Sequence, residues 1–492
     1  MTTRRADRRE AVARRLRIPT IVGCLMLALY GCASVAPQGA APVAVEVPAA
    51  WSVADVSATT GTSSLAQWWL RFDDPLLGGL VAQALDANTS VKSAQAALQQ
   101  ARALRDVSAA GLLPVVGGSA SAQHSTSGSN SANSFQAGVD ASWELDIFGA
   151  NRSALAASDA AARASAASLG DVQVSIAGEV ALDYITLRGA QSRLAIANDN
   201  LASQQETLQI TQWRLQAGLV TALEAEQARA AAEQTSAQLP ALQTSIEQSR
   251  HALAVLTGQP PAALSTVLAA ASPVPQAADD LALSIPAETL RQRPDVRAAE
   301  LQVTAALARV AQADAARAPS FKLSGSLGLS ALTLGSLTSG AAVVSALLAG
   351  VSWPVFDGGA GLAQVRAQQA ALDQARVAYQ AVVLTALKDV EDAMIALRGD
   401  RERLLRLQQA AEAAGNAALM ARQRFSSGLV DFQTVLETQR TQLNTQDSVA
   451  SSRADLSADH VRLYKALGGG WRPDGSDATP ATTEDTPRTS HL

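Results

Sequence analysis

The side chains able to bind soft metals or act as thiols are few: Cys24, Cys32, His124, His251, His460 and His491. Two cysteines cannot build a disulfide framework or a cysteine-rich zinc site, and scattered histidines have no metal-ligand spacing. The chain has no glycine-rich phosphate loop, Cys-x-x-Cys, His-Glu-x-x-His or nucleophile elbow. The expectation is therefore no catalysis, no metal and no cofactor, with His251 and His460 as surface residues near helix ends. Glu437 and Arg440 lie three apart on a helical stretch, where such a pair contributes about 0.2–0.5 kcal/mol as an exposed ion pair.

Cys32 has a chemistry of its own because of what precedes it. Seven arginines between Arg4 and Arg17 are followed by thirteen apolar residues, Ile18 to Tyr30, and then Gly31-Cys32-Ala33-Ser34. A bilayer core of about 30 Å needs roughly 20 apolar residues, so this is a secretory signal rather than a span. Leu29-Tyr30-Gly31-Cys32 resembles the bacterial lipobox, although Tyr30 is bulky for that place. The resemblance implies diacylglycerol on the Cys32 thiol and N-palmitoyl on its new amino end. Ala33 in place of Asp resembles lipoproteins sorted to the outer membrane. The alternative Ile21-Val22-Gly23-Cys24 leaves only about six residues after Arg17, too short a core.

Charge narrows the partners. The chain of 492 residues carries 39 Lys and Arg against 44 Asp and Glu, a formal charge of −5. Removing residues 1–31, with seven arginines and two acids, leaves 32 bases against 42 acids, or −10. No basic patch then remains for nucleic acid.

The remaining sequence is one unit written twice. A shift of 210 residues lays Trp143 on Trp353 and Ile185, Leu187, Arg188 and Gly189 on Ile395, Leu397, Arg398 and Gly399. It also lays Arg214, Gly218, Leu219 and Val220 on Arg424, Gly428, Leu429 and Val430, and Gly258 on Gly468. Upstream the shift becomes 205, matching Val91 to Val296 and Pro114 to Pro319. Such a register marks an internal duplication.

Within each copy the hydrophobic period changes from two to about 3.6. Ser134 to Asp146 alternates strictly, Val115 to Gln123 is a weaker partner, and Ser125 to Asn133 reads as their loop. Phe321 to Ser330 and Leu347 to Val355 repeat the pattern in the second copy. Period two gives one apolar and one polar face per strand. This suits a half-buried sheet in a soluble domain or, behind a signal peptide, a membrane barrel. The residues for a lipid-facing side are Phe135, Val139, Trp143, Phe321, Leu323, Leu327, Val351 and Trp353. Proline-free, alanine-rich stretches from about Asn151 to Arg214 and from about Ala360 to Phe425 predict rods near 95 Å long. Val180, Leu187, Leu194, Leu201, Leu208 and Leu215 recur every seven residues as a helix-packing seam. Gly218 and Gly428 stop the rods, and return helices follow to about Thr257 and Leu467.

The expected organisation is a signal at 1–31, an N-terminal segment at 32–80, a first repeat at 81–260, a linker at 261–290, a second repeat at 291–471 and a disordered tail at 472–492. Four strands cannot seal a pore, because every backbone polar group in lipid needs a partner and known single-chain barrels begin at eight strands. Several copies must pool them.

Three motifs then identify the chain as similar to the TolC-type outer-membrane factors, in particular the NodT-like efflux lipoproteins. They are Trp68-Trp69-Leu70-Arg71-Phe72-Asp73-Asp74-Pro75-Leu76, Arg293-Pro294-Asp295-Val296-Arg297-Ala298-Ala299-Glu300, and Leu463-Tyr464-Lys465-Ala466-Leu467-Gly468-Gly469-Gly470-Trp471. The resemblance spans roughly residues 32 to 471. It implies an α+β membrane channel: a homotrimer with a twelve-stranded β-barrel continuous with a periplasmic α-helical barrel. It also implies passive efflux of small molecules from an inner-membrane pump, often of the resistance-nodulation-division class, through a periplasmic adaptor. The turns Arg214, Gly218, Leu219, Val220 and Arg424, Gly428, Leu429, Val430 resemble tips contacted by adaptor hairpins. Glu224, Phe425, Glu437 and Arg440 fall at the periplasmic aperture of relatives. The chain departs from TolC at Val430 and Thr434, where TolC has an arginine and an aspartate. Competing readings are a type I secretion channel, an adaptor-like lipoprotein scaffold, and an envelope enzyme. The last is disfavoured by the missing motifs, and the scaffold by the two strand hairpins.

Overall fold

The computed structural model describes residues 47–52, 65–278, 286–338 and 343–471. The expected signal with Cys24 and Cys32, and the expected tail at 472–492, lie outside the described residues. A short 3-10 helix at Leu65–Phe72 leads into α1 (Pro75–Ala87) and α2 (Thr89–Ala110). Strands β1 (Val115–Ser127) and β2 (Asn130–Leu145) precede the long α3 (Ala150–Gln216), followed by α4 (Ala222–Ser236) and α5 (Gln238–Leu256). The order then repeats: α6 (Pro286–Gln292), α7 (Pro294–Ala315), β3 (Ser320–Ala331), β4 (Val343–Ser352), α8 (Ala360–Ser426) and α9 (Phe432–Ala466). Helices α3 and α8 each run 67 residues, about 100 Å at 1.5 Å per residue. No helix among the described residues is long and apolar enough to cross a membrane.

Two compact units emerge. One comprises Ala110–Ala154 and Ala308–Gln369 and holds the sheet. Its strands run antiparallel in the order β1-β2-β3-β4, so the two hairpins pair through β2 and β3. Phe135, Val139 and Trp143 stand opposite Ala331, Leu327 and Leu323, and Phe321 stands opposite Val351. Directly paired residues share a face, so seven of the eight expected lipid-side residues line one side; Trp353 follows the end of β4. Val139, Leu327, Val351 and Trp353 are each at least half exposed. Gln136, Asp140, Glu144, Lys322 and Ser326 occupy the other side. β4 departs from the pattern, because Val344 and Leu348 put apolar side chains on that polar side.

The first hairpin corrects the expected loop. Ser125 pairs with Ala132 and Ser127 with Asn130, leaving a two-residue turn at Gly128 and Ser129. Gly128 has φ +62°, which suits a first turn position with a positive φ. The small polar residues around it have no apolar alternation, so their strand character was hidden.

The other unit gathers the helical segments within Val45–Ala109, Leu155–Leu307 and Ala370–Leu492. Its main core joins Trp68, Phe72, Leu77, Val81, Val180, Tyr184, Leu187, Leu253, Val461 and Tyr464. Trp68 stacks on Tyr464 with ring centroids 5.3 Å apart, and the Gly470 amide donates to the Leu65 carbonyl. The first and last sequence motifs thus pack against each other. The leucine seam of α3 holds only in part: Val180 and Leu187 are buried, whereas Leu215 is 36% exposed. Toward the tip the buried stripe passes to Asn200, Gln204, Thr207 and Thr211. There the Asn200 amide donates to Gln446 at 2.8 Å and the Gln439 amide to the Thr207 hydroxyl at 2.9 Å. The first return helix is also broken at Ala237, since Pro240 lacks the N–H that would continue the ladder.

Candidate functional site

Each long helix ends in the same turn. At the first tip the Gly218 amide donates to Leu215 and the Leu219 amide to Arg214; at the second, Gly428 donates to Phe425 and Leu429 to Arg424. Gly218 has φ +71° and Gly428 φ +72°, a conformation that costs any side-chain-bearing residue about 1–2 kcal/mol. These paired bonds satisfy helix-end carbonyls that would otherwise be orphaned. Leu219 and Leu429 are 74% and 73% exposed, so each tip offers an exposed leucine beside a charged helix end. Val220 and Val430 are half-buried.

Arg214 joins the two tips. Its Nη1 and Nη2 donate to the Phe425 carbonyl at 3.2 Å, and Nη2 also donates to the Ser426 carbonyl at 3.1 Å. Its guanidinium carbon lies 4.4 Å from the centroid of the Phe425 ring. Phe425 packs with Ala228, Ala421, Phe432 and Val435 in a small core, so within this chain it is a buried packing residue. Glu224 sits at the third position of α4 and accepts from the Thr221 amide at 2.6 Å, completing a capping box. Asp431 caps α9 by accepting from the Thr434 amide and hydroxyl, and those bonds hold its carboxyl below the usual range.

Glu437 and Arg440 are exposed on α9. Their side chains form no ion pair with each other among the described residues. Both line a cavity of about 370 Å³ with Gln204, Gln227, Gln234 and Asn444. The lining mixes these polar side chains with Ala230, Ala231, Leu436 and Leu443. Among the described residues no group of three His, Cys, Asp or Glu side chains is placed to hold a metal ion.

A second polar site lies away from the tips, and sequence reasoning missed it. A cavity of about 450 Å³ is lined by Asp171, Arg293, Asp295, Asp389, Asp392, Asp459, Arg462 and Lys465. Arg293 donates to both Asp295 oxygens, to Asp389 and to the Ala466 carbonyl. Burial pushes the Asp459 carboxyl up to about 6, against the pull of Arg462 and with Asp400 adding to the rise. Nearby, Asp74 caps α1 and accepts from the Tyr184 hydroxyl at 2.7 Å, and Arg188 donates to that same hydroxyl at 3.0 Å. Burial first, and the bond to Asp74 second, push Tyr184 up to about 12. His460 corrects the expectation of a surface residue: it is 5% exposed, with Nδ1 at 2.9 Å from the Leu456 carbonyl. His251 is exposed as expected. The partners in these networks lie 96 to 173 residues apart in several cases, which no local pattern signals.

Known proteins now place this geometry. The family model "outer membrane efflux protein" matches residues 80–259 and 285–469, one match per repeat. The pyoverdine export outer membrane protein OpmQ of Pseudomonas putida is 33% identical over 471 residues, covering 92% of this chain and 97% of that one. Nodulation protein T of Rhizobium leguminosarum bv. trifolii is 28% identical, with 91% and 96% covered. Among solved structures, the outer-membrane channel OprN superposes with a TM-score of 0.81 at 36% identity, over 87% of this chain and 98% of that one. The open-state MtrE channel of Neisseria gonorrhoeae gives 0.78 at 26% identity, covering 87% and 97%. Matched across both halves by the family model and along most of its length by these relatives, the chain belongs to the outer membrane efflux protein family.

Proposed function

We propose that this protein is the outer-membrane exit duct of a tripartite efflux system, conducting small molecules passively and without catalysis of its own. The observation that carries this reading is the four-stranded sheet with one apolar, solvent-accessible side. Its outer strands β1 and β4 pair with nothing further among the described residues. Such a sheet is stable in lipid only when its edges are closed, and four strands close only by joining those of other copies. Three copies would supply twelve strands, so we read the protein as a homotrimer. The helical unit, rich in polar side chains, then belongs in the periplasm.

Energy and selectivity come from partners: an inner-membrane pump of the resistance-nodulation-division class and a periplasmic adaptor docking on the two tips. Lipid on Cys32 would anchor the N-terminus in the same membrane. Glu437 and Arg440, unpaired with each other and lining an open cavity, are the residues we assign to the aperture, with Glu224 at the matching place on α4. The capping bond of Glu224 limits its freedom to move, and the burial of Phe425 gives it a supporting rather than a lining part. Planar-bilayer recordings of the purified protein test the reading. Discrete cation-preferring conductance steps are expected, with larger steps in Glu437→Ala and Arg440→Ala. A protein that never inserts refutes the duct, and unchanged steps in both variants refute the aperture assignment.

A further inference from the structure

The two tips are related by the duplication, but only one of their arginines is satisfied. Arg214 reaches from the first tip onto the Phe425 and Ser426 carbonyls of the second and covers the Phe425 ring. Arg424 holds the equivalent position 210 residues later, is exposed, and has no hydrogen bond, ion pair or ring contact among the described residues. The groups it would need, by the same shift, are the carbonyls of Leu215 and Gln216. In this chain the Arg214 guanidinium lies across the second tip, and among the described residues no side chain does the same at the first. Leu215, the counterpart of the covered Phe425, is 36% exposed against 9%, and Trp213 beside it is 58% exposed.

A contact in which one tip's arginine grips the other tip's helix end is heterologous, so it leaves one free donor and one free acceptor on every chain. Heterologous contacts repeat from copy to copy and form a ring where the rotation closes. We propose that the free acceptor is filled by a second copy: Arg424 of each chain donates to the carbonyls of Leu215 and Gln216 of the partner subunit. The clamp inside the chain and the clamp between chains would then alternate around one ring of tips. The helix dipole favours this, because a guanidinium placed at a helix C-terminus meets its negative end. The same logic applies along α8. Gly189 on α3 would bring an added Cβ within 3.0 Å of Ala454, whereas at Gly399 an added Cβ meets nothing within 4 Å. Likewise Ile185 is 1% exposed and Ile395 51%. The face of α8 is thus uncovered where the face of α3 is closed, and a second copy is the occupant that the duplication itself supplies. The inference rests on the oligomeric reading above.

A cysteine pair at exposed positions beside the glycines, Ala217→Cys with Ser427→Cys, reads both clamps in the full-length protein. A short bismaleimide should link tips within a chain, leaving the mass on a denaturing gel unchanged, and between chains, giving covalent multimers. Adding Arg424→Ala should cut the multimers at least five-fold while thiols within a chain remain linked. Adding Arg214→Ala should do the reverse. Native mass spectrometry of the same samples separates the two levels of the claim. An oligomer whose multimers are unaffected by Arg424→Ala overturns the clamp and leaves the duct intact, whereas a monomer overturns both.

Discussion

Helices α3 and α8 have the same length and the same parent sequence, yet different surroundings. On α3, Ile185, Leu187 and Arg188 are 1%, 0% and 2% exposed. Arg188 donates to Gln191, to the Ala270 carbonyl and to Tyr184. The counterparts Ile395 and Arg398 on α8 are exposed. Helix formation is therefore a local property that both copies retain, while burial is set by which neighbours the chain itself provides. Around Ile185 and Arg188, α3 finds its neighbours within the chain. Around Ile395 and Arg398, α8 is exposed, and in the proposed assembly a second copy would cover it.

Paired substitutions sharpen that comparison. Ile185→Ala should cost about 2–5 kcal/mol, as for a large-to-small change in a packed core. Ile395→Ala should stay within about 0.5 kcal/mol in a protomer and act instead on assembly. Denaturation midpoints of monomeric and assembled protein separate these effects, and equal losses at both sites would remove the distinction. Arg188→Met removes the donor to the Gln191 side-chain oxygen and to the Ala270 carbonyl, worth about 1–3 kcal/mol. Arg398→Met should leave the protomer's melting temperature unchanged.

The tips make the opposite prediction, namely equality. Gly218→Val and Gly428→Val should each cost about 1–2 kcal/mol, because both residues occupy the same left-handed conformation. Efflux should fail in both while assembled protein persists, measured as drug accumulation alongside outer-membrane yield. Loss at one tip alone would show that the adaptor reads only one copy.

The smallest effect is one of pH. Asp459 occupies the place held by Ser249 in the first half, and its folded-state pKa of about 6 lies above the ordinary 3.8. The folded state therefore takes up the proton first. The added stability is complete below about pH 4 and is lost as pH rises through 6. Asp459→Asn should raise the melting temperature near neutrality and flatten its rise between pH 7 and 4. An unchanged profile would show that Arg462 keeps the carboxylate ionised throughout.

Much of the fold was legible because its signals are local. The 210-residue register, the proline-free rods and the alternation through Trp143 and Trp353 need no knowledge of distant partners. The tip glycines were legible for the same reason, a positive φ being demanded by one turn. The polar cluster around Arg293 and the Asp74–Tyr184–Arg188 chain were not, because their members come from separate helices. Phe425 sat in a tip motif, but its burial depends on Phe432 and on Arg214 from the other copy. Glu224 carried an acidic position that its capping bond explains equally well.

The central claim is that identical chains pool their strands into one membrane cylinder. Native mass spectrometry of the protein extracted from outer membranes addresses it most directly. Three chains per particle, with no smaller species until denaturation, is the predicted result. A single chain per particle, stable in the extracting detergent, would contradict the account.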